Sequence, residues 1–362
     1  MSYSSHGETI SVGVKARVLF SRLLTTEEYW SLLGSDTVGE IAQKLRGTSY
    51  EASLVTLPSD PHRYDIEAEI KTDLLKEAGG FLIHLSDPRD RFFRMWARWH
   101  EAENLKSIFR HIAAGRVDRD DLRRRLYTIE SSKVAYENVL SARDFVELSD
   151  ALRGSPYFRV LEDPLKRLAS GEEHSLFPLE MALDSFVELS LFKAMKKLET
   201  DERDRLAPIF GSRIDLYNLY ILYRAVTFYS MTPEETLNRL LPVRHKIGIS
   251  FFREAVRAES MERVIEMLKV SFPVYADLMI GALSEDEPQL RLERDIKRYI
   301  YIQAQRVFGS GSPGFHTAMG YFVLKESEIS DIIRIIEYVR YGHDRRKAAE
   351  YLIRPITSGG EE

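Results

Sequence analysis

The amino-acid sequence predicts an all-helical protein, and three features of the sequence support this prediction. Stretches rich in Leu, Glu, Arg and Lys, which favour helices, fill most of the 362 residues. Alternating runs typical of strands are scarce, and the best of them, residues 10–14, is short and interrupted by a glycine. Apolar residues instead recur at the i, i+3, i+4, i+7 spacing of one buried helix face, most clearly at Met261, Val264, Ile265 and Leu268.

One pattern of residues occurs three times along the chain. In each copy, an acid is followed by Asn or Asp three residues later and by apolar residues four, seven, eight and eleven residues later. The acids are Glu101, Asp215 and Glu328, at spacings of 215 − 101 = 114 and 328 − 215 = 113. The polar residues three positions further on are Asn104, Asn218 and Asp331.

Two further sets of residues follow the same spacing within one residue, which favours a true internal repeat, and a third set recurs more loosely. The upstream set, in which a glutamate lies between apolar residues, consists of Glu67, Glu180 and Glu293. The downstream set consists of Leu126, Leu240 and Ile353. A looser set of tyrosines, displaced by two residues in its last copy, consists of Tyr50, Tyr157 and Tyr275. We therefore predict three helical units of ordinary domain size, at 1–130, 131–245 and 246–362.

The acid of each copy is predicted to lie at the edge of a core-facing stripe. At about 100° per residue, the acid, the Asn or Asp and the apolar residues share one face of a helix. A carboxylate in that place must be paired or hydrogen-bonded to offset its desolvation. It could serve as a ligand, as a proton carrier or as a polar clamp between helices. Because a structural repeat carries it three times, we predict that the nine polar residues are a structural signature, with no catalytic, metal or cofactor site.

Charge and motif content argue against several other functions. Lys and Arg total 51 against 56 Asp and Glu, a net charge of −5 at pH 7, without the basic footprint of a nucleic-acid-binding protein. There is no cysteine to form a disulfide or thiolate metal site, and no run of about 18 apolar residues to span a bilayer. Residues 309–314 satisfy G-x-G-x-x-G, but they follow a helical segment, which favours a plain loop. Asp118, Asp120 and Asp121 resemble a metal cluster, but the interleaved arginines favour a salt-bridged helix face.

The three copies also carry a family resemblance. Residues 99–110, residues 215–219 with Arg224, and residues 320–329 with Arg334 resemble the three signature helices of one family. This is the family of the C subunit of the rotary V/A-type ATPases, whose eukaryotic counterpart is called the d subunit. Residues 15–50 are similar to the opening of the same family, so the resemblance covers nearly the whole chain. One departure is Asp331, which stands where the family usually has Asn.

The resemblance implies both an architecture and a role. The architecture is a funnel of three similar helical domains with pseudo-threefold symmetry. The role is that of a non-catalytic part of the central stalk, which couples the rotor shaft (D/F-type subunits) to the membrane proteolipid ring (c/K-type) during ion transport and ATP hydrolysis or synthesis. No cofactor and no nucleic acid are implied. The expected location is cytoplasmic, peripheral on that side of the membrane, with membrane contact only through the ring.

Two other classes of function remain open from the residues themselves. A helical-repeat scaffold of the solenoid kind would have repeats of roughly 20–50 residues, whereas the spacing here is 113 or 114. An all-helical enzyme could use paired carboxylates, with Glu67 and Glu101 or their copies as acid and base. An enzyme rarely needs its site three times in one chain, so the structural reading is favoured.

Overall fold

A computed structural model shows a chain whose regular structure is helical. Helices make up 73% of it, and none of the residues placed by the structure lies in a strand, which confirms the all-helical class. The structure describes residues 2–115, 118–127, 129, 132–229, 231–284 and 287–356. The predicted boundary between units at 130 and 131 therefore lies outside the described residues.

The chain forms two compact units. One consists of Val38–Ala194, and the other combines Met1–Thr37 with Met195–Glu362. The division into three units that the repeat predicts stays a prediction.

Nineteen α-helices lie along the described residues. The first two, before the Val38–Ala194 unit, are α1 (Ser2–Phe20) and α2 (Thr26–Leu33). The next nine are α3 (Val38–Leu45), α4 (Glu51–Leu54), α5 (Arg63–Leu82), α6 (Arg89–Ala113), α7 (Arg119–Arg125), α8 (Tyr136–Ser141), α9 (Phe145–Ala151), α10 (Phe158–Ser170) and α11 (Phe177–Met195). The last eight are α12 (Thr200–Arg224), α13 (Pro233–Arg239), α14 (Ile249–Ala255), α15 (Met261–Ser271), α16 (Pro273–Met279), α17 (Pro288–Gly309), α18 (Phe315–Arg340) and α19 (Arg345–Glu350). A π-helical turn (Ala225–Tyr229) extends α12, and a 3₁₀ turn (Ile280–Leu283) follows α16.

The residues of the repeat lie on pairs of long helices. The acids Glu101, Asp215 and Glu328 lie on α6, α12 and α18, which have 25, 25 and 26 residues and are the longest helices described. We call these three the signature helices. Each is preceded along the chain by another long helix, which carries Glu67, Glu180 or Glu293.

Local sequence signals explain where several helices begin and which faces they bury. At the start of α2, Thr25 Oγ1 accepts from the Glu28 amide at 3.2 Å, and Glu28 accepts in return from the Thr25 amide at 2.6 Å, which is a capping box. The Asp118 side chain caps α7 by accepting from the amides of Asp120 and Asp121. The Asp121 carboxylate pairs with Arg125 of the same helix at 2.6 Å. The predicted apolar face of α15 is confirmed, because the four residues that form it, Met261, Val264, Ile265 and Leu268, are all buried.

The glycine-rich segment after α17 packs against α1. A Cβ atom on Gly13 of α1 would lie 2.3 Å from the Gly314 backbone nitrogen, so only glycine permits this approach. Arg17, one turn further along α1, donates to the Gly311 carbonyl at 3.1 Å. The segment joins two helices, as predicted, and its glycines allow close packing. Residues 10–14, the best strand-like run of the sequence, lie within α1.

Candidate functional site

The three acids of the signature helices are buried. Glu101, Asp215 and Glu328 expose 3%, 0% and 3% of their surface, and the polar residues three positions later are equally buried. A buried carboxylate without partners would strongly destabilise a fold, so the donors around each acid define what it does.

Glu101 is held by two hydroxyl groups. Ser132 Oγ donates to one of its carboxylate oxygens, and the Tyr157 hydroxyl donates to the other. Burial raises the pKa of Tyr157 well above its ordinary value, and the neighbouring charge of Glu101 raises it further. Tyr157 therefore stays protonated and serves as a permanent donor to Glu101.

Asp215 is held mainly by backbone. The amides of His245, Lys246 and Ile247 donate to its two oxygens at 3.1, 2.7 and 3.3 Å. The Tyr275 hydroxyl lies 3.4 Å from Oδ2 and completes the shell. Burial raises the pKa of Asp215, while the three backbone donors act in the opposite direction.

Glu328 binds a segment that lies 304 residues away in the sequence. The Leu24 amide donates to Glu328 Oε2 at 2.6 Å, and Lys325 Nζ donates to Oε1 at 3.2 Å. Arg354 reinforces this junction, because its guanidinium donates to the Leu24 carbonyl and stacks over the ring of Tyr29. The N-terminal and C-terminal segments of the described chain are thus both fastened beside α18.

The polar residues three positions after the acids bind backbone 22 or 23 residues downstream. Asn104 accepts from the Tyr127 amide at 3.3 Å and donates to its carbonyl at 2.8 Å. Asn218 accepts from the Leu241 amide at 2.8 Å. Asp331 accepts from the amides of Ile353 and Arg354 at 2.6 and 2.9 Å. The same contact therefore occurs in all three copies.

The third copy places a carboxylic acid where the other two have an amide. Burial raises the pKa of Asp331 to about 7, against the opposing effect of its two backbone donors and of the charges of Arg334 and Arg298. An asparagine would accept a hydrogen bond here without placing a charge in the core.

The upstream glutamates lie on the helices that precede the signature helices. Glu180 accepts from Arg110 of α6 at 2.8 Å, and Glu293 accepts from Tyr220 of α12 at 2.7 Å. In both cases the donor is on the preceding signature helix. Glu67 differs, since it pairs with Lys71 and Arg63 of its own helix at 2.8 and 3.5 Å.

The geometry does not assemble the paired-carboxylate site that an enzyme would need. Glu67 and Glu101 have separate partners, and Glu67 does not line the cavity beside Glu101. No group of three or more His, Asp or Glu side chains suited to holding a metal occurs among the residues that the structure describes. The acids instead join helices to backbone and to hydroxyl donors.

Sequence reasoning identified these acids but missed most of their donors. The exceptions are Tyr157 and Tyr275, which belong to the loosest set of repeated residues and which both donate to an acid. The backbone amides of Leu24 and of residues 245–247 leave no signal in the sequence, because every residue except proline has a backbone N–H donor.

None of the described helices combines the length and apolar character needed to cross a bilayer.

The buried acids of this all-helical chain thus join helices to backbone amides and to hydroxyl donors. Comparison with known proteins gives the class of the chain, a non-catalytic subunit of a rotary ATPase. The family model for the ATP synthase (C/AC39) subunit matches residues 12–351. The chain belongs to this family, whose members are central-stalk subunits of the rotary ATPase.

Several archaeal relatives have similar sequences. The chain is 21% identical over 323 residues to the C subunit of the A-type ATP synthase of Methanosphaera stadtmanae, and the match covers 88% of this chain and 80% of that protein. It is 25% identical over 276 residues to the C subunit from Methanothermobacter thermautotrophicus, with 75% and 67% covered. It is 21% identical over 325 residues to the C subunit from Methanosarcina mazei, with 89% and 86% covered.

Proposed function

We propose that this chain couples the rotor shaft to the membrane proteolipid ring, so that the two turn together during ion transport and ATP hydrolysis or synthesis. The observation that carries the proposal is the family match over residues 12–351. The absence of a paired-carboxylate arrangement around Glu101 and Glu67 agrees with a mechanical role. Tightly packed helical interiors transmit strain well, which suits a coupling element.

We further propose that the chain consists of three units arranged about a pseudo-threefold axis. Each acid of a signature helix binds the beginning of the unit that comes next in the predicted order. Glu101 binds Ser132 at the start of the second unit, and Asp215 binds Lys246 at the start of the third. Glu328, in the last unit, binds Leu24 of the first. This cyclic order of contacts is what a closed threefold arrangement requires.

The nine signature residues are proposed to be clamps of this arrangement. Glu101, Asp215 and Glu328 join successive units, while Asn104, Asn218 and Asp331 hold the segment that follows each signature helix. Glu180 and Glu293 tie the next long helix to the preceding signature helix, and Glu67 is proposed to occupy the equivalent place in the first unit.

The proposed location is peripheral, on the cytoplasmic side of the membrane, with the proteolipid ring as the only membrane contact. A net charge of −5 disfavours direct binding to anionic lipid. Sedimentation with protein-free anionic vesicles tests this part of the proposal, because the purified chain is expected to stay in the supernatant. Robust co-pelleting would contradict it.

The coupling role is tested by assembling the ATPase complex in vesicles with and without this chain. Without it, ATP hydrolysis by the catalytic head should continue while ATP-driven ion uptake is lost. Adding the chain back should restore uptake, and its chemical cross-links should then reach both ring and shaft subunits. Normal ion uptake in the complex that lacks the chain would overturn the proposal.

A further inference from the structure

A cavity of about 310 Å³ lies beside Glu101 in the Val38–Ala194 unit. Three basic side chains line it, namely Arg94 and Arg98 of α6 and Lys133 of the segment before α8. Arg94, Arg98 and Glu101 follow one another at i, i+4 and i+7, so they share one helix face. Among the described residues that line it, Glu101 is the only acid.

Within the described part of the chain, the carboxylate of Glu101 forms no salt bridge, and its charge offsets one of the three positive charges. Both of its oxygens already accept from the hydroxyls of Ser132 and Tyr157. Arg94 is engaged by Asp90 through Nε at 2.9 Å, which leaves its terminal nitrogens for another acceptor. Among the described residues, neither Arg98 nor Lys133 forms a salt bridge, so the described part of the lining holds three cationic groups against one carboxylate.

The equivalent positions in the other two copies show that this arrangement is particular to the first. The residue three positions before the acid is Arg98 in the first copy, Ser212 in the second and Lys325 in the third. Lys325 forms a salt bridge with Glu328, the acid of its own copy, at 3.2 Å. Ser212 carries no charge. Only in the first copy is there a cation at this position whose neighbouring acid is satisfied by hydroxyl groups.

We propose that this cavity is a binding site for a phosphate group, either as free phosphate or as a small phosphate ester. Two guanidinium groups and one ammonium group are the donors that proteins commonly use for phosphate oxygens. Met95 and Pro156 contribute an apolar part of the wall, which leaves room for the organic portion of an ester. The site is independent of the coupling role, because it rests only on the residues of one compact unit.

Bound phosphate would join α6 to the segment that holds Ser132 and Lys133. This segment also supplies a donor to Glu101, so the ligand would reinforce the clamp from its solvent side. The expected consequence is a folded state that becomes more stable as the phosphate concentration rises, as for any ligand that binds only the folded form.

The test is calorimetric titration of the purified full-length chain with sodium phosphate and, separately, with glycerol phosphate, at constant ionic strength set by chloride. Saturable binding that raises the melting temperature is expected. Arg98→Gln and Lys133→Gln should each weaken binding by at least about tenfold, the usual effect of losing a charge-assisted hydrogen bond. Circular dichroism of both variants reports whether they keep the native helix content.

Arg91→Gln is the matched control, because Arg91 is exposed on the same helix and does not line the cavity. It should bind phosphate as the unaltered chain does. Tighter binding of glycerol phosphate than of phosphate would assign the ester, and equal binding would assign the free ion. Absence of saturable binding of either compound, or equal loss in Arg91→Gln and Arg98→Gln, would overturn the proposal.

Discussion

At the scale of single residues, the chain buries carboxylates and satisfies them with donors from distant segments. The burial of these acids could be anticipated, because each lies three residues before a polar position and four before an apolar one. Their donors could not be anticipated. Leu24 is 304 residues from Glu328, and nothing in its side chain indicates that its amide is needed there.

Asp331→Asn should stabilise the protein at neutral and alkaline pH. Burial raises the pKa of Asp331 to about 7, so the folded state holds this proton more tightly than the unfolded state, whose value is about 3.9. The stability that Asp331 contributes is therefore fully present below pH 4 and is lost as the pH rises towards 7. At pH 8, removing the buried charge should favour the variant by on the order of 2–4 kcal/mol. An asparagine has one acceptor oxygen, so the amide of Ile353 or Arg354 loses its acceptor at a cost of about 1–3 kcal/mol, and the net gain is smaller. This net gain should shrink on acidification.

Urea unfolding between pH 4 and 8 measures this difference. Asp150→Asn is the control, since the Asp150 side chain is 61% exposed and its replacement should change stability little at any pH. A gain for Asp331→Asn that does not depend on pH would show that ionisation of Asp331 is not its cause.

Asp215→Ala should be strongly destabilising. It leaves the amides of His245, Lys246 and Ile247 without their acceptor, at about 1–3 kcal/mol for each unsatisfied group, or roughly 3 kcal/mol or more in all. Chemical denaturation measures the loss, with Asp204→Ala of the same helix as an exposed control. Wild-type stability of Asp215→Ala would rule out the clamp role for this acid.

At the scale of helices, the signature helices and their neighbours are joined by ionic contacts of unequal burial. Lys106 of α6 lies 2.6 Å from Asp184 of α11 and is nearly buried. Arg110, one turn further on, lies 2.8 Å from Glu180 but exposes 58% of its side chain. Arg110 lies nine residues after Glu101, which places it on the opposite side of the helix at about 100° per residue, and its exposure agrees. The sequence did not predict Lys106 as a buried partner, because lysine is usually a surface residue.

Double-mutant cycles should therefore rank the two pairs. We expect a coupling free energy of about 0.2–1 kcal/mol for Arg110 with Glu180, since the pair is solvent-screened. The coupling for Lys106 with Asp184 should be clearly larger, because removing either partner leaves a poorly hydrated charge. The measurement is the unfolding free energy of each single and double alanine variant. Equal couplings would mean that burial does not set the strength of these contacts.

At the scale of the whole molecule, the class of fold followed from the helical periodicity, and the positions of the three signature helices followed from the repeat in the sequence. The composition of the two compact units did not follow from the repeat. Residues 1–37 and residues 195–362 form one compact unit, although they are far apart in the sequence. The reason is physical: the contacts that fasten Leu24 beside α18 depend on backbone groups and on Arg354, and these leave no pattern of periodic residues.

Arg354→Gln should loosen the N-terminal segment without unfolding the rest. Arg354 donates to Leu24 and Thr26 and stacks over Tyr29, so its loss removes three contacts with the start of α2. Hydrogen exchange of the amides of α2 should become faster, while exchange in α6 stays unchanged. Arg346→Gln, an exposed change on α19, is the control. Unchanged exchange in α2 would contradict the fastening role.

The contact between Glu328 and Leu24 has a consequence for how such a chain is put together. Taken alone, the third copy would keep only Lys325 as a donor to Glu328 and would lose the Leu24 amide. The second copy would likewise lose the amide donors of residues 245–247 to Asp215. Three separate copies could satisfy one another only in a closed cyclic trimer, the outcome of a head-to-tail contact whose rotation closes. In the proposed threefold arrangement, joining the copies in one polypeptide makes their association intramolecular, so that it does not depend on the protein concentration.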